Sequence, residues 1–264
     1  MHMLVLLPNI LYEEGWRDLP ISLAESLSSV DLLLAESVKG GRRYLRHFKR
    51  HLPIEVFGKY TTNADIEFFL KEMKEGKTLG LLSDAGLPAI ADPGSSLVEA
   101  CHREKIDVQA LSGPCSITLG WMLSGFSANR FSFHGYLPKN LEEKTRTLAR
   151  LERTSAAQKS AEMFIETPYR NASLFACLLE CLDPETQLFI GKQLGSPQAY
   201  ALSQNIRKWK KTSLIWNKEP TIFILYRGHF FPSQAVRKFA NTTNKGPRRS
   251  AGKKERAAWK KGRE

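Results

Sequence analysis

A stretch that begins as a buried strand and ends as a stiff loop constrains this fold most. Leu79 to Leu82 form a short apolar run, which is typical of a strand inside a parallel sheet. The run stops at Ser83, and residues 84–94 then contain two Gly, two Pro and two Asp. Because Gly permits positive φ and Pro fixes φ, we expect a rigid loop that is poor in side chains. Open α/β sheets bind ligands at the carboxyl ends of their strands, so this loop predicts a site for a small polar molecule.

A second break of the same kind strengthens this interpretation. Clusters of Gly and Pro also occur in ordinary turns, so the first loop alone leaves a purely structural role open. The next strand, however, ends in Leu111-Ser112-Gly113-Pro114-Cys115 and leads into a helix. Two such breaks after consecutive strands indicate one shared crevice, into which Asp84 and Asp92 would place carboxylates.

Alternating strand-like and helix-like segments predict the α/β class. We expect two α/β domains with mostly parallel or mixed sheets and a cofactor cleft between them, with residues 1–114 in the first domain and 115–230 in the second. The apolar helix predicted at 115–125 carries Trp121 and Met122, which we expect in the core. Residues 231–264 are expected to form a basic, disordered tail.

The net charge of +12 is concentrated in that tail. Residues 245–264 contain nine Lys or Arg and two Glu. Basic segments of this kind commonly bind nucleic acid by neutralising phosphates, although a solvated tail that only aids solubility is the alternative.

The cysteines and the hydropathy of the chain favour a cytoplasmic protein. The four cysteines show no spacing typical of a metal site, and Cys177 and Cys181 would share one helix face as small buried hydrophobes. Nothing requires an oxidising compartment. There is no apolar run of about 18 residues, so we expect no membrane span, and we expect no metal.

Several motifs together carry a family resemblance. Ser83 to Gly94 match the whole pattern Ser-Asp-Ala-Gly-x-Pro-x-x-x-Asp-Pro-Gly, and Gly113-Pro114-Cys115 match Pro-Gly-Pro-Cys with Ser112 in place of the first proline. Residues 133–138 (FHGYLP) and 164–170 (FIETPYR) are similar to two further motifs. The chain resembles the tetrapyrrole methylases, or class III S-adenosylmethionine methyltransferases. Within them it is most similar to the branch that methylates a cytidine 2′-hydroxyl of small-subunit ribosomal RNA.

The resemblance implies that S-adenosylmethionine binds in the cleft. Asp84 would contact its ribose or amino group, the start of the helix at Pro114 and Cys115 would hold its carboxylate, and residues 85–88 would line the pocket through their main chain. The whole set implied to bind the donor is Pro8, Ser83, Asp84, Ala85, Gly86, Leu87, Pro88, Ala91, Gly113, Pro114, Cys115, Ile165, Leu194, Pro220 and Thr221.

The acceptor side is suggested by fewer residues. A 2′-hydroxyl is a poor nucleophile at neutral pH, so Glu36 and Glu166, which each end an apolar strand, are candidate general bases. Arg42, Tyr169 and Arg170 are candidate RNA contacts. In the alternative interpretation, Glu166 only pairs with Arg170. His134 is expected to be structural, hydrogen-bonded in or near the core. Lys39, Arg42, Arg43 and Arg46 either line an approach for RNA or form only the solvated face of a helix.

Two departures from the family pattern leave the acceptor open. The first loop reads Pro8-Asn9-Ile10 where the family usually has glycine, and residues 37–41 (SVKGG) differ from the ribosomal branch. The resemblance implies a homodimer and RNA, most plausibly ribosomal RNA, as the partner. A methyltransferase of a tetrapyrrole or another small molecule, or a non-catalytic RNA-binding protein, are the alternatives.

Overall fold

The computed structural model describes residues 2–126 and 129–228, and both of its sheets lie in one compact unit that comprises residues 1–228. The predicted tail, 231–264, lies outside the described residues. The division into domains at residue 114 remains a prediction.

The first sheet is wholly parallel, with strand order β3-β2-β4-β1-β5. Its strands follow the apolar runs of the sequence, and helices cover both faces, as a parallel sheet requires. The elements are β1 (Met3–Leu7), α1 (Leu23–Ser28), β2 (Leu32–Ala35), α2 (Val38–His47), β3 (Ile54–Val56), α3 (Asn63–Lys74), β4 (Leu79–Leu82), α4 (Ser95–Arg103) and β5 (Asp107–Ala110). A short 3-10 helix, Gly15–Asp18, follows β1.

The second sheet is mixed, with order β6-β7-β10-β8-β9, and only the β6–β7 pair is parallel. Its antiparallel pairs bring the start of β10 beside the ends of β7 and β8. The elements are α5 (Ser116–Ser124), β6 (Phe131–Tyr136), α6 (Leu141–Gln158), β7 (Ala161–Ile165), α7 (Asn171–Cys181), β8 (Gln187–Lys192), β9 (Tyr200–Asn205), α8 (Ile206–Trp209) and β10 (Thr221–Tyr226). A 3-10 turn, Pro168–Arg170, precedes α7.

Three apolar clusters hold the elements together. Leu33 and Tyr44 belong to a cluster under α1 and α2, whereas Leu81 and Phe69 belong to one under α3 and α4 on the opposite face of the first sheet. The third cluster surrounds Trp209, which is fully buried and donates from its indole nitrogen to the Leu188 carbonyl at 2.8 Å.

The predicted α/β class is confirmed, and three local expectations are wrong. The sequence pattern predicts helices over 141–153 and 204–211, whereas α6 extends to Gln158 and the strand β9 occupies Tyr200–Asn205. In α5, Met122 is not in the core: 77% of it is exposed. The reason is that α5 is apolar on all faces, so its pattern does not show which face packs on the second sheet. None of the described helices is long and apolar enough to cross a membrane.

Candidate active site

A cavity of about 410 Å³ lies between the carboxyl edge of the first sheet and the second sheet. We call its two sides the first wall and the second wall. The first wall consists of Leu11, Glu36, residues 84–87 and residues 90–92, which all follow strands of the first sheet. The second wall consists of Phe133, Tyr136, Ile165, Glu166, Pro168, Gly191, Gln193, Leu194, Pro220, Thr221 and Ile222, and the beginning of α5 (residues 115–117) completes the cavity.

Asn9 fixes the main chain of the first wall. Its backbone N–H donates to the Gly86 carbonyl at 2.7 Å, and its side-chain amide donates to the carbonyls of Ser83 and Asp84 at 2.8 and 3.1 Å. Asn9 is fully buried, so these bonds form away from water and satisfy its amide group. The residue that departs from the family's glycine pattern therefore joins the end of β1 to the loop after β4.

Glycine allows the predicted loops to approach one another. Gly86 has φ +73°, a left-handed conformation that favours glycine. A Cβ added to Gly113 would lie 2.2 Å from the Cβ of Pro8, so no side chain fits there. A Cβ on Gly86 would lie 3.6 Å from the Pro114 carbonyl oxygen. The two glycine–proline breaks thus meet beside the cavity, as the sequence predicts.

The first wall carries three carboxylates close together. One Glu36 oxygen accepts from the Asp84 main-chain N–H at 3.2 Å, and Asp84 Oδ1 accepts from the Ser37 hydroxyl at 2.7 Å. Burial, reinforced by the negative charge of Glu36, raises the pKa of Asp92 to about 6, against a hydrogen bond from Ser83 that lowers it. This wall is therefore negative and incompletely neutralised, which suits a cationic or hydroxyl-bearing ligand.

The second wall holds its carboxylates in salt bridges. Glu166 Oε1 accepts from the Thr167 N–H at 2.7 Å and from Arg170 Nε at 2.9 Å. Its other oxygen, Oε2, is buried and has no hydrogen-bond partner among the residues that the structure describes. A buried acceptor of this kind is costly without a donor, and because the Glu166 side chain is fully buried, this oxygen lies behind the surface of the cavity wall.

A buried ion pair supports the end of the same wall. Lys192 pairs with Glu219 and also donates to the Ile215 carbonyl at 2.6 Å. Burial raises the pKa of Glu219, but the hydrogen bonds from Lys192 and the main chain outweigh it, and the pKa lies below its usual range. The buried amide of Asn171 donates to the Glu219 carbonyl and to the Thr221 hydroxyl at 2.9 and 3.1 Å. These bonds fix the segment before β10, which includes Pro220 and Thr221.

The beginning of α5 presents main-chain donors to the cavity. Cys115 is the N-cap of this nine-residue helix, and Ser116 and Ile117 line the cavity. The first N–H groups of a helix have no partner within it, and the helix dipole there favours negative charge. Pro114 has no N–H, so Cys115 and the two residues after it are the available donors.

Most of the predicted site residues lie on this cavity. They are Glu36, Asp84, Ala85, Gly86, Leu87, Ala91, Cys115, Ile165, Glu166, Leu194, Pro220 and Thr221. Pro8, Ser83, Gly113 and Pro114 do not line it; Ser83, Pro8 and Gly113 support the first wall from behind through the contacts given above. Pro88 lines a neighbouring apolar cavity that is separated from this one by Leu87 and Ile90, which line both.

The predicted RNA contacts lie outside the cavity. Arg42 is exposed on α2, and Arg170 is the partner of Glu166. Tyr169 is 77% exposed, and the Lys218 ammonium lies 4.9 Å from the centre of its ring. His134 is hydrogen-bonded to the buried Glu162 at 2.6 Å, which agrees with the structural role expected for it.

Asp92 lines the cavity, as the sequence predicts, but its raised pKa depends on the fold around it. Other residues of the walls carry no signal in the sequence that assigns them to a site. They are Leu11, Ile90, Ser116, Ile117, Phe133, Tyr136, Pro168, Gly191, Gln193 and Ile222. Within residues 2–126 and 129–228, no group of three or more His, Cys, Asp or Glu could hold a metal ion.

Curated relatives and solved structures resemble this chain. The ribosomal RNA small subunit methyltransferase I of Thermotoga maritima is 32% identical over 177 residues, which are 67% of this chain and 77% of that protein. The protein of the same name from Buchnera aphidicola subsp. Schizaphis graminum is 28% identical over 214 residues, which are 80% of this chain and 74% of that protein.

Two solved structures share the fold at 14% sequence identity. The methyltransferase CobJ superposes with a TM-score of 0.59, covering 86% of this chain and 94% of that one. Diphthine synthase superposes with a TM-score of 0.61, covering 90% and 96%.

The family model described as Tetrapyrrole (Corrin/Porphyrin) Methylases matches residues 15–208, a span that includes both glycine–proline breaks and most of the two walls. The chain belongs to the tetrapyrrole methylase family.

Proposed function

We propose that this protein is an S-adenosylmethionine-dependent methyltransferase that methylates ribosomal RNA, at the ribose 2′-hydroxyl of a cytidine. The observation that carries the proposal is the cavity itself. The motif shared with the ribosomal branch forms its first wall, opposite a buried carboxylate oxygen of Glu166 that lacks a partner among the described residues. The relatives named above supply the acceptor class.

The residues of the cavity fit the methyl donor. The N–H groups at the beginning of α5 suit its carboxylate, and the exposed Asp84 offers an acceptor for its amino or ribose group. The apolar side chains of Ile165, Leu194 and Ile222 suit the adenine ring. When bound, S-adenosylmethionine supplies an electrophilic methyl group on a sulfonium ion, and the negative first wall favours this cation.

The chain's own task is to orient the acceptor hydroxyl and to accept its proton. In-line displacement depends mainly on alignment, so rigid loops suit it. Glu36 is better placed as the base than Glu166, because Glu36 is only partly buried at the cavity whereas Glu166 is paired with Arg170. Asp92 lies on the same wall and, with a pKa of about 6, is mostly ionised at neutral pH.

A cationic helix face supports RNA as the acceptor. Lys39, Arg42, Arg43 and Arg46 are exposed on α2, a helix without acidic residues, and none of them forms an ion pair within the described ranges. The N-cap of this helix is Ser37, whose hydroxyl donates to Asp84 of the first wall. Together with Tyr169, Arg170 and the basic residues of 245–264, these side chains would bind RNA phosphates and bases.

The exposed apolar face of α5 supports a homodimer. Met122 and Leu123 are largely exposed, and Phe131 of β6 lies beside Trp121. An exposed apolar patch of this kind is a typical protein–protein contact, and a second copy of the chain would cover it. A cytoplasmic location agrees with an enzyme of ribosomal RNA.

The test is methyl transfer to small ribosomal subunits that lack the modification, followed by mass spectrometry of the nucleosides. We expect one 2′-O-methylcytidine per subunit from the wild-type protein and none from Ala85→Trp, which fills the cavity from an exposed position. Ala157→Trp, an exposed position on α6, is the matched control. Methylation of a tetrapyrrole and not of RNA would contradict the RNA proposal.

A further inference from the structure

A second cavity, of about 620 Å³, lies beside the first wall at the outer edge of the first sheet. It is lined by the end of β3, the loop that leads to α3, and the first turns of α3. Neither the family motifs nor the proposed donor site includes this region. Glu36 lines both cavities, so the second cavity adjoins the proposed acceptor side of the first.

The second cavity is unusual in its exposed aromatic side chains. Tyr60 is 88% exposed and Phe68 is 49% exposed, and Val56 beside them is also more than half exposed. Exposure of large apolar side chains to water is unfavourable, so a cluster of them at a cavity marks a surface that contacts another molecule. The two rings offer a flat ligand two faces to pack against.

Polar groups of the second cavity suit one nucleotide. The Lys59 ammonium lies over one face of the Tyr60 ring, 5.8 Å from its centre, so a base would stack on the other face with this cation near its phosphate. Glu55 is exposed on the cavity and can accept from an exocyclic amino group, a contact that carboxylates make with cytosine. Asp65, by contrast, is engaged with Thr62 in the capping box of α3.

We propose that this second cavity binds an unpaired RNA base that neighbours the methylated nucleotide, by stacking it on Tyr60 and Phe68. The inference rests on the proposed function, since it specifies how that acceptor is held. Single-stranded RNA is recognised in this way because its bases can leave the stack and pack on aromatic rings, with cations on the backbone. The enzyme would therefore select an accessible single strand rather than a duplex.

The experiment compares Tyr60→Leu with Tyr60→Phe in the full-length protein, and measures binding of a short unstructured oligoribonucleotide by fluorescence anisotropy. Removing the ring should weaken binding roughly 5- to 100-fold, the range for the loss of one stacked base. Tyr60→Phe, which keeps the ring, should bind like the wild type. Leu141→Ala, an exposed apolar position on α6, is the matched control and should not change binding.

Two further measurements separate this inference from the proposed function. Tyr60→Leu should bind S-adenosylmethionine as the wild type does, and its affinity for an RNA duplex should not change. If Tyr60→Leu binds the single strand as tightly as the wild type does, and the wild type methylates ribosomal subunits, the base site is overturned. The proposed function is then unaffected. Weaker binding to whole subunits without any loss on free RNA would indicate a ribosomal protein as the partner, and would also overturn the base site.

Discussion

The two walls of the donor cavity handle charge in opposite ways. The first wall is built largely from main chain and glycine, and its carboxylates Glu36, Asp84 and Asp92 lie near one another, with no cation from residues 2–126 or 129–228 among their hydrogen-bond partners. The second wall is supported by ion pairs of buried carboxylates, in which Glu166 meets the partly exposed Arg170 and Glu219 meets the buried Lys192. One wall therefore leaves negative charge available to a ligand, whereas the other uses charge to hold its own shape.

This difference assigns a separate task to each wall. Buried ion pairs add little net stability because desolvation offsets their attraction, but they fix geometry strongly. Carboxylates that are crowded without cations raise one another's pKa, and a cation or a hydroxyl donor relieves the crowding. We therefore expect mutations in the second wall to affect stability first, and mutations of the carboxylates in the first wall to affect the response to pH and ligand.

The largest effect is expected at Lys192. Lys192→Met leaves the buried Glu219 without its cation, which should cost about 3–5 kcal/mol in the free energy of unfolding. The double variant Lys192→Met/Glu219→Met removes both charges and should recover most of that loss. Urea denaturation of the wild type, both single variants and the double variant measures this cycle. If the single variants lose less than about 1 kcal/mol, as variants of exposed ion pairs do, the second wall does not depend on this ion pair. The two walls would then not differ in the way described.

A smaller effect is expected where the first wall depends on close approach. Gly113→Ala forces a methyl group against Pro8 and should cost about 1–3 kcal/mol, the usual range for overpacking. Ser112→Ala, at the exposed neighbouring position, is the control and should leave the thermal midpoint unchanged. If the two variants unfold at the same temperature, the loops at residues 8 and 113 do not pack as described.

The smallest effect is expected at Asp92, and it depends on pH. Its pKa is raised from the usual 3.8 to about 6, so the folded state binds this proton more tightly than the unfolded chain does. The stability contributed by that proton is complete below about pH 4 and is lost as the pH rises through 6. Asp92→Asn should therefore be more stable than the wild type at pH 8 by about 1–2 kcal/mol, allowing for partial solvent screening.

Unfolding at pH 4 and at pH 8 checks this prediction for Asp92. The advantage of Asp92→Asn should disappear at the lower pH. Equal stability of the two proteins at pH 8 would mean that the first wall neutralises its carboxylates as well as the second wall does.

The sequence alone predicts some features of each wall. The loop from Ser83 to Gly94 was predictable, because Gly and Pro restrict the backbone locally and an apolar run marks the strand before it. The pairing of Glu166 with Arg170 was also foreseen as an alternative, since the two residues are four apart. Both are short-range features.

The other contacts of the site can be identified only from the three-dimensional structure. Asn171 meets Glu219 and Thr221 across about fifty residues of chain, and Asn9 meets Ser83 and Asp84 across more than seventy. No local pattern predicts such contacts. The strand β9 was missed because its apolar run, residues 200–202, is too short to identify a strand, and the polar residues 203–205 that complete it lead directly into α8.

The most direct test of the central claim is calorimetric titration of S-adenosylmethionine into the full-length protein. We predict saturable heat for one site per chain with the wild type and with Ala157→Trp, and none with Ala85→Trp, whose new side chain occupies the cavity. Absence of heat with folded wild-type protein, or equal heat with Ala85→Trp, would show that the cavity between the two walls does not bind the methyl donor.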